Sequence, residues 1–372
     1  MTAAKKKLHK DWFDKDAARA MAAQLASADK TFDKDKFVRQ CCKGLTTLEF
    51  HARLTQFADA MAAALPQDYC KAIAIVQRSL PEPLPNCDSI TDGWLQWPVG
   101  RFIADRGLEH FDESMECMVE LTKRFTAEYA IRPFITIYPK ETFDYLYRYV
   151  EDANPHVRRW CSEGSRTRLP WGGNLNALIA DPSPILTVLE ALKDDDELYV
   201  RKSVANSLND LSRDHPEMVV KICKRWSKGS SPARKWLINH AMRTLIKQGN
   251  PAALKLSGFR AAEGITTELS LARKRIKIGE SAELQARLEN TGSSKQKLLL
   301  DYVVGFQGKK DKVRRKVFKW KTLELAAGEL ITLSKQHPMR QTTVRALYPG
   351  KHTVELQLNG QLRETQTFAL SA

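Results

Sequence analysis

Along the first 250 residues, apolar side chains recur at intervals of three and four, the period of an amphipathic helix. Helices are predicted at 17–25, at 37–45 and at 48–64, where Leu48, Ala52, Leu54, Phe57, Ala58 and Met61 make one stripe. The proline-rich segment LPEPLPNCDS at 80–89 is a loop, and helical spacing resumes at 94–107 and over a long charged run at 114–137. Three helix pairs follow: 143–150 with the stretch opening at 155, 184–192 with 200–213, and 218–226 with 234–247. Pro216 and Pro251 each follow the second helix of a pair. After Gly258 the period falls to two. Short alternating runs such as KLLLDYVVGF and KHTVELQLNG, separated by Gly, Pro and Asn, predict an antiparallel β-sandwich of about seven strands. Two domains are expected, 1–258 and 259–372.

The helical part repeats a basic helix start. Val157-Arg158-Arg159-Trp160, Val200-Arg201-Lys202-Ser203 and Ala233-Arg234-Lys235-Trp236 are spaced by 43 and 33 residues, each after a polar or proline-containing break. That period marks a solenoid of helix pairs of the HEAT or armadillo kind. The fold class expected is therefore an α-helical HEAT-like repeat solenoid followed by an all-β sandwich. The sandwich is immunoglobulin-like in layout only, since all seven cysteines precede it.

Net charge sharpens this picture. The chain carries +15, of which +10 falls beyond Gly258, and such an excess favours an anionic partner, nucleic acid or a membrane surface. The densest basic segment is a predicted hairpin with Lys309, Lys310, Arg314 and Lys316, in which Phe318 and Trp320 share a strand face with Arg314 and Lys316. No apolar run approaches the ~20 residues needed to span a bilayer. A secretory leader is not expected after the opening KKK, and the unpaired cysteine pattern fits a reduced compartment, so a cytoplasmic location is expected. There is no GxxxxGK[ST], GxGxxG or HExxH motif and no Cys/His set at zinc spacing, so neither a metal nor a nucleotide cofactor is expected. His51, His110, His156 and His240 stand singly.

Two constellations could carry chemistry. Within 114–137, Met115, Met118, Thr122, Phe125 and Tyr129 form an apolar stripe, and Glu116, Glu120, Arg124 and Glu128 a charged one. Such a stripe is a solvated ladder of i,i+4 pairs, or else a carboxylate held in a cationic groove. A carboxylate there would repel phosphates and belongs only opposite a developing positive charge. The second constellation is the row of polar helix faces. Arg159, Glu163 and Arg166 align with Arg168 after them; Lys202, Asn206, Asn209, Asp210 and Arg213 form the next face, and Arg234, Lys235 and Arg243 the third. With Trp160, Trp171 and Trp236 nearby, this row suits phosphate binding by Arg forks and helix starts; Trp160 and Trp236 equally suit a core between repeats.

The segments ELTKRFTAEYAIRPF (120–134), PHVRRWCSEGSRTRLPWGG (155–173) and VRKSVANSLNDLSRDHP (200–216) resemble the HEAT-like-repeat alkylpurine DNA glycosylases, in particular the AlkC branch, whose members carry a C-terminal immunoglobulin-like domain. The likeness runs from KDWFDKDAARAMAAQL to YPGKHTVELQLNG, nearly the whole chain. It implies base excision repair: hydrolysis of the N-glycosidic bond of cationic bases such as 3-methyladenine and 3-methylcytosine in double-stranded DNA, without flipping the base. A cationic base leaves readily, and a carboxylate stabilises the oxocarbenium-like sugar left behind. By the related AlkD branch, an Arg at the lesion falls on Arg159, while a Trp position falls on Asn206, so that contact is either missing or supplied elsewhere, with Trp171 the candidate. The branch's acid lies on the 114–137 helix, where this chain offers Glu120 and Glu128; Glu120 is favoured, with Glu163 and Asp210 as further candidates. DNA contacts are expected from Arg124, Arg158, Arg159, Arg166, Arg168, Trp171, Arg201, Lys202, Asn206 and Lys235, and from the basic hairpin. A monomer is expected. The alternative is a non-catalytic HEAT-repeat DNA-binding or scaffold protein.

Overall fold

The structure, a computed structural model, describes residues 8–89, 91–309, 312–342 and 346–372. The chain opens with α1 (Lys15–Ala28), α2 (Lys34–Cys42), α3 (Phe50–Ala64), α4 (Tyr69–Ser79), α5 (Trp97–Arg106) and α6 (Phe111–Thr122). Then come α7 (Arg132–Ile137), α8 (Pro139–Tyr149), α9 (Pro155–Glu163), α10 (Asn176–Ala180), α11 (Ser183–Leu192) and α12 (Leu198–Leu211). The last helices are α13 (Pro216–Trp226), α14 (Pro232–Ala241), α15 (Arg243–Lys247) and α16 (Pro251–Leu256). Two compact units result: one holds the chain up to Asp214 with Gly229–Ala241, the other His215–Lys228 with Met242–Ala372.

Helix starts follow local chemistry. Asp14, Asp33, Asp68 and Asn154 accept hydrogen bonds from backbone N–H groups in the first turns of α1, α2, α4 and α9. Prolines open many of the others. Pro216 and Pro251 follow α12 and α15, as expected, and also begin α13 and α16, because proline fits the first turn, where its missing N–H has no partner to lose.

In the first unit, α9, α12 and α14 lie side by side with α12 in the middle, while α8 and α11 pack behind them. These three neighbours are the helices that carry the repeated basic start. Val157, Trp160, Val200, Val204 and Leu208 on α9 and α12 are fully buried. Small residues let α9 and α12 approach closely, and Ser162 Oγ donates to Ser203 Oγ at 2.6 Å. Trp160 is fully buried, which settles its role as core.

The helix expected over 114–137 is two. α6 stops at Thr122, and α7 starts only at Arg132. The Thr126 hydroxyl accepts the Glu128 N–H at 3.2 Å, a local bond that competes with helix, and Pro133 starts a new helix rather than continuing the old one. Glu128 therefore sits in a turn, off the stripe of Glu116 and Glu120. At the end of α6 the chain passes so close to Gly93 that a Cβ there would lie 1.9 Å from the Arg124 carbonyl oxygen. The helix expected over 234–247 is likewise divided, into α14 and α15.

The second unit contains two sheets, β1 (Ile265–Leu271), β3 (Ser281–Asn290) and β6 (Leu330–Pro338) in one. The other runs β2 (Arg275–Lys277), β8 (Gln361–Ser371), β7 (Gly350–Leu358), β4 (Gln296–Gln307) and β5 (Val313–Leu325). The eight strands among the described residues exceed the expected seven by the three-residue β2, which pairs parallel to β8 and is too short to show alternation. β3 alternates buried and exposed residues along its length, as a strand with one face on a core must. β5 is an edge strand, and a register shift between Leu300 and Asp301 bulges the β4–β5 pairing.

Candidate DNA-facing active site

The most unusual chemistry in the helical unit is a buried run of alternating charge. Arg159 Nη1 lies 2.6 Å from Glu128 Oε2, and its Nη2 lies 3.4 Å from Glu163 Oε1. Glu163 Oε1 accepts from Arg166 Nη1 at 2.6 Å, and Arg166 Nε donates to Asp210 Oδ2 at 2.8 Å. The order is thus Glu128, Arg159, Glu163, Arg166, Asp210: three carboxylates and two guanidiniums, a net charge of −1. Helix geometry builds the middle: Arg159 and Glu163 are one turn apart on α9, and Arg166 follows its end. The Thr126 hydroxyl locks one terminus, donating to Glu128 Oε2 at 2.9 Å and accepting from Arg159 Nη1 at 3.1 Å.

Taking charged groups out of water can cost more in lost hydration than their pairing returns, so such a ladder is weak evidence for stability and marks a candidate site. Its members differ. Burial would raise the Glu163 carboxyl, but the guanidiniums of Arg159 and Arg166 outweigh it and hold the group below its ordinary range. At Asp210 burial prevails over the Arg166 partner, and the carboxyl is raised. For Arg159, burial is overcome by Glu128 and Glu163, which keep the guanidinium charged.

Beside the Glu128 end lies a cavity of about 200 Å³ with largely aromatic walls: Trp12, Trp97, Phe125, Trp171 and Tyr199. The Arg159 guanidinium stands 5.0 Å over the Tyr199 ring, so cation and ring fix one another. His156, edge-on to Tyr199 at 5.5 Å, gives a second polar wall. Its imidazole is lowered by burial, and its Nε2 faces the Asn86 carbonyl oxygen at 3.2 Å.

Trp171 stands at the mouth, 61% exposed. Its backbone has φ +66°, a left-handed conformation that costs a bulky residue energy. The Tyr129 hydroxyl, donating to the Pro170 carbonyl at 3.2 Å, helps to hold it. Buried Arg132 donates to the carbonyls of Gly164 (3.1 Å), Arg166 (2.8 Å), Gly172 (3.0 Å) and Gly173 (2.8 Å), gathering the whole loop that bears Trp171. Burial and the neighbouring Arg166 push the Arg132 guanidinium down to about 10. Arg132 is not among the site residues expected from the sequence. Its trace there is that two distinctive segments, AIRPF and EGSRTRLPWGG, occur together; the first clamps the second.

The remaining expected residues separate into groups. Glu120 is paired with Lys123 at 2.6 Å and Arg124 at 2.8 Å and does not line the cavity. Burial would raise its carboxyl, but the bonds from Lys123 and Arg124 lower it. Arg124 also donates to the Pro81 carbonyl. The first arginine of each repeated start is turned to its own architecture: Arg158 grips Asp195 bidentately at 2.6 and 3.0 Å, Arg201 binds the carbonyls of Asp195 and Asp196, and Arg234 pairs with Asp194. All three converge on the one acidic loop before α12. Arg168 pairs with Asp214. Lys202 and Lys235 are exposed, and Asn206 lies 3.2 Å from His240, on which Trp236 stacks. Lys309, Arg314 and Lys316 are exposed on and before β5, and Lys310 lies outside the described residues.

A repeat array of paired helices with a buried acidic ladder, joined to an immunoglobulin-like sandwich, defines a HEAT-like-repeat protein of two parts. The family model for "Uncharacterised protein YhaZ, C-terminal Ig-like domain" matches residues 265–372. The chain is 32% identical over 361 residues to the protein YhaZ of Bacillus subtilis (strain 168), covering 96% of this chain and 98% of that one. The alkylpurine DNA glycosylase AlkC of Pseudomonas fluorescens, solved bound to DNA containing an abasic site analog, superposes with a TM-score of 0.92 at 33% identity, over 98% of this chain and all of that one. The chain belongs to the AlkC family of HEAT-like-repeat alkylpurine DNA glycosylases.

Proposed function

We propose that this protein is a DNA glycosylase of base excision repair that hydrolyses the N-glycosidic bond of cationic N-alkylated bases, 3-methyladenine and 3-methylcytosine among them, with Glu128 as the working carboxylate. The observation that carries this is the position of Glu128: buried, fixed by Arg159 and Thr126, and on the wall of the aromatic cavity. N-alkylation gives the base a positive charge, so it departs with its electrons and needs neither a strong acid nor a metal. The deficit moves to the deoxyribose, where a carboxylate in a water-poor site stabilises the oxocarbenium-like centre and orients the attacking water. Arg159 and Glu163 position Glu128, and aromatic walls favour a cationic, flat-faced ligand. Trp171 at the mouth supports reading the lesion from the sugar side, with the base left in the stack. The helical part, 1–258, would carry the chemistry, and the sandwich, 259–372, would grip the DNA backbone through Lys309, Lys310, Arg314 and Lys316.

The test is release of free base from methylated duplex DNA under single-turnover conditions. Glu128→Gln should lower the rate roughly 100-fold or more, the scale of losing one charge-stabilising group. Glu120→Gln should leave it within a few fold, since Glu120 is spent on Lys123 and Arg124. Parent protein that binds DNA yet releases no base above the spontaneous rate would establish the scaffold reading instead. A 2-aminopurine placed beside the lesion should stay quenched on binding; a large rise would show that the base is flipped.

A further inference from the structure

Away from the ladder, the first turn of α4 and the entry to α6 bring a thiol, an imidazole and a carboxylate together. Cys70 Sγ lies 3.6 Å from His110 Nδ1 and 3.6 Å from Glu113 Oε1, and the three ligand atoms all fall within 4.8 Å of one another. Forty residues separate Cys70 from His110, so no spacing motif betrays the group. The scaffold sets it up in advance. Asp68 caps α4 just before Cys70, and the His110 N–H is bonded to the Gly107 carbonyl at 3.0 Å. The His110 ring stacks on Tyr69 at 4.9 Å and 12°, and the Tyr69 hydroxyl is held by Ser114 Oγ at 2.8 Å. Ring plane and Nδ1 direction are therefore fixed by packing, as outer-shell partners fix a metal ligand.

We propose that Cys70, His110 and Glu113 bind one borderline-soft divalent cation, zinc foremost, with water as the fourth ligand. The distances carry the inference. Tetrahedral zinc, with bonds of about 2.3 Å to sulfur and about 2.0 Å to nitrogen and oxygen, sets donor-to-donor edges of about 3.5 Å. Both edges from Cys70 match that value, and thiolate, imidazole and carboxylate are zinc's own donor types. On binding, the sulfur–metal bond forms as the thiol proton passes to solvent, so affinity rises with pH. The ion would tie α4 to α6, stabilising the N-terminal helices without entering the excision chemistry.

The full chain, stripped with chelator and freed of it, is titrated with zinc by calorimetry and with cobalt(II) by absorption. One equivalent should bind, cobalt should give a thiolate charge-transfer band with tetrahedral ligand-field bands, and zinc should raise the melting temperature. Cys70→Ser and His110→Gln should each weaken binding by more than the roughly 10- to 100-fold that an outer-shell loss costs. Should either fail to fold, Glu113→Gln at its exposed position gives the same readout. Cys42→Ser and Cys87→Ser, at the other part-exposed thiols, should change nothing. Absence of the sulfur–cobalt band, or its persistence in Cys70→Ser, overturns the proposal and leaves a hydrogen-bonded thiol.

Discussion

At the residue scale, Trp171 and Glu128 both depart from local preference. A tryptophan at φ +66° occupies a conformation in which glycine is at ease, in a loop where Arg132 holds four surrounding carbonyls and Tyr129 a fifth. Two substitutions separate strain from contact. Trp171→Gly and Trp171→Ala both remove the ring, but only glycine relieves the backbone, so the glycine variant should be the more stable by about 1 kcal/mol in denaturant unfolding. Both should lose excision activity. Glu128 is among the acids legible in the sequence, yet Glu120, which opens the ELTKRF segment, is the one favoured, and a continuous helix would put both on one stripe. The Thr126 hydroxyl and Pro133 undo that helix, and their effects depend on local competition that periodicity does not register. Cys70, His110 and Glu113 are illegible for a different reason: only the packing of α4 on α6 makes them neighbours.

At the scale of elements, the helix pairs and most strands follow from period, turn residues and prolines. The repeated basic starts are real repeats, α9, α12 and α14, but their first arginines hold an acidic loop rather than lining a groove. A sequence shows that a cation is present and is silent about whether a carboxylate thirty or forty residues away has claimed it. In the sandwich, Asp301 of β4, beside the point where β5 bulges at Trp320, is buried, with its Oδ1 lacking a hydrogen-bond partner. Burial raises this carboxyl from 3.8 to about 6. The folded state therefore binds a proton more tightly than the unfolded chain, and the stability this group contributes is full below pH 3.8 and lost as pH rises through about 6. Asp301→Asn should accordingly stabilise the protein at pH 8 by about 3 kcal/mol. The gain should shrink toward pH 4, as read from denaturant melts across that range.

At the scale of the whole molecule, charge and family agree. Most of the +15 lies in the sandwich, where β5 offers an exposed cationic edge that also discourages pairing with another strand. If that edge grips phosphates, replacing Lys309, Lys310, Arg314 and Lys316 with Gln should reduce the slope of log K against log salt by about 0.9 for each phosphate no longer neutralised. Excision at saturating enzyme should be unchanged. An unaltered slope would mean that the sandwich does not touch DNA through β5. Substitution is the cleaner test than truncation at 258, because Gln357 of β7 donates to the Lys247 carbonyl and Gly360 packs on Gly249, so α15 and α16 would lose their supports.

The Arg132 clamp also sets a timescale. Surface loops ordinarily open one hydrogen bond at a time and exchange their amide protons quickly. Here four carbonyls of residues 164–173 converge on a single guanidinium, which must let go of all of them before the segment can swing out. The Gly172 and Leu175 amide protons, bonded to the Leu169 and Thr167 carbonyls, should then exchange at the rate of α7 rather than of an exposed turn, and Arg132→Lys should split the two. Trp171 would thus meet its ligand as a fixed probe, its position set before encounter.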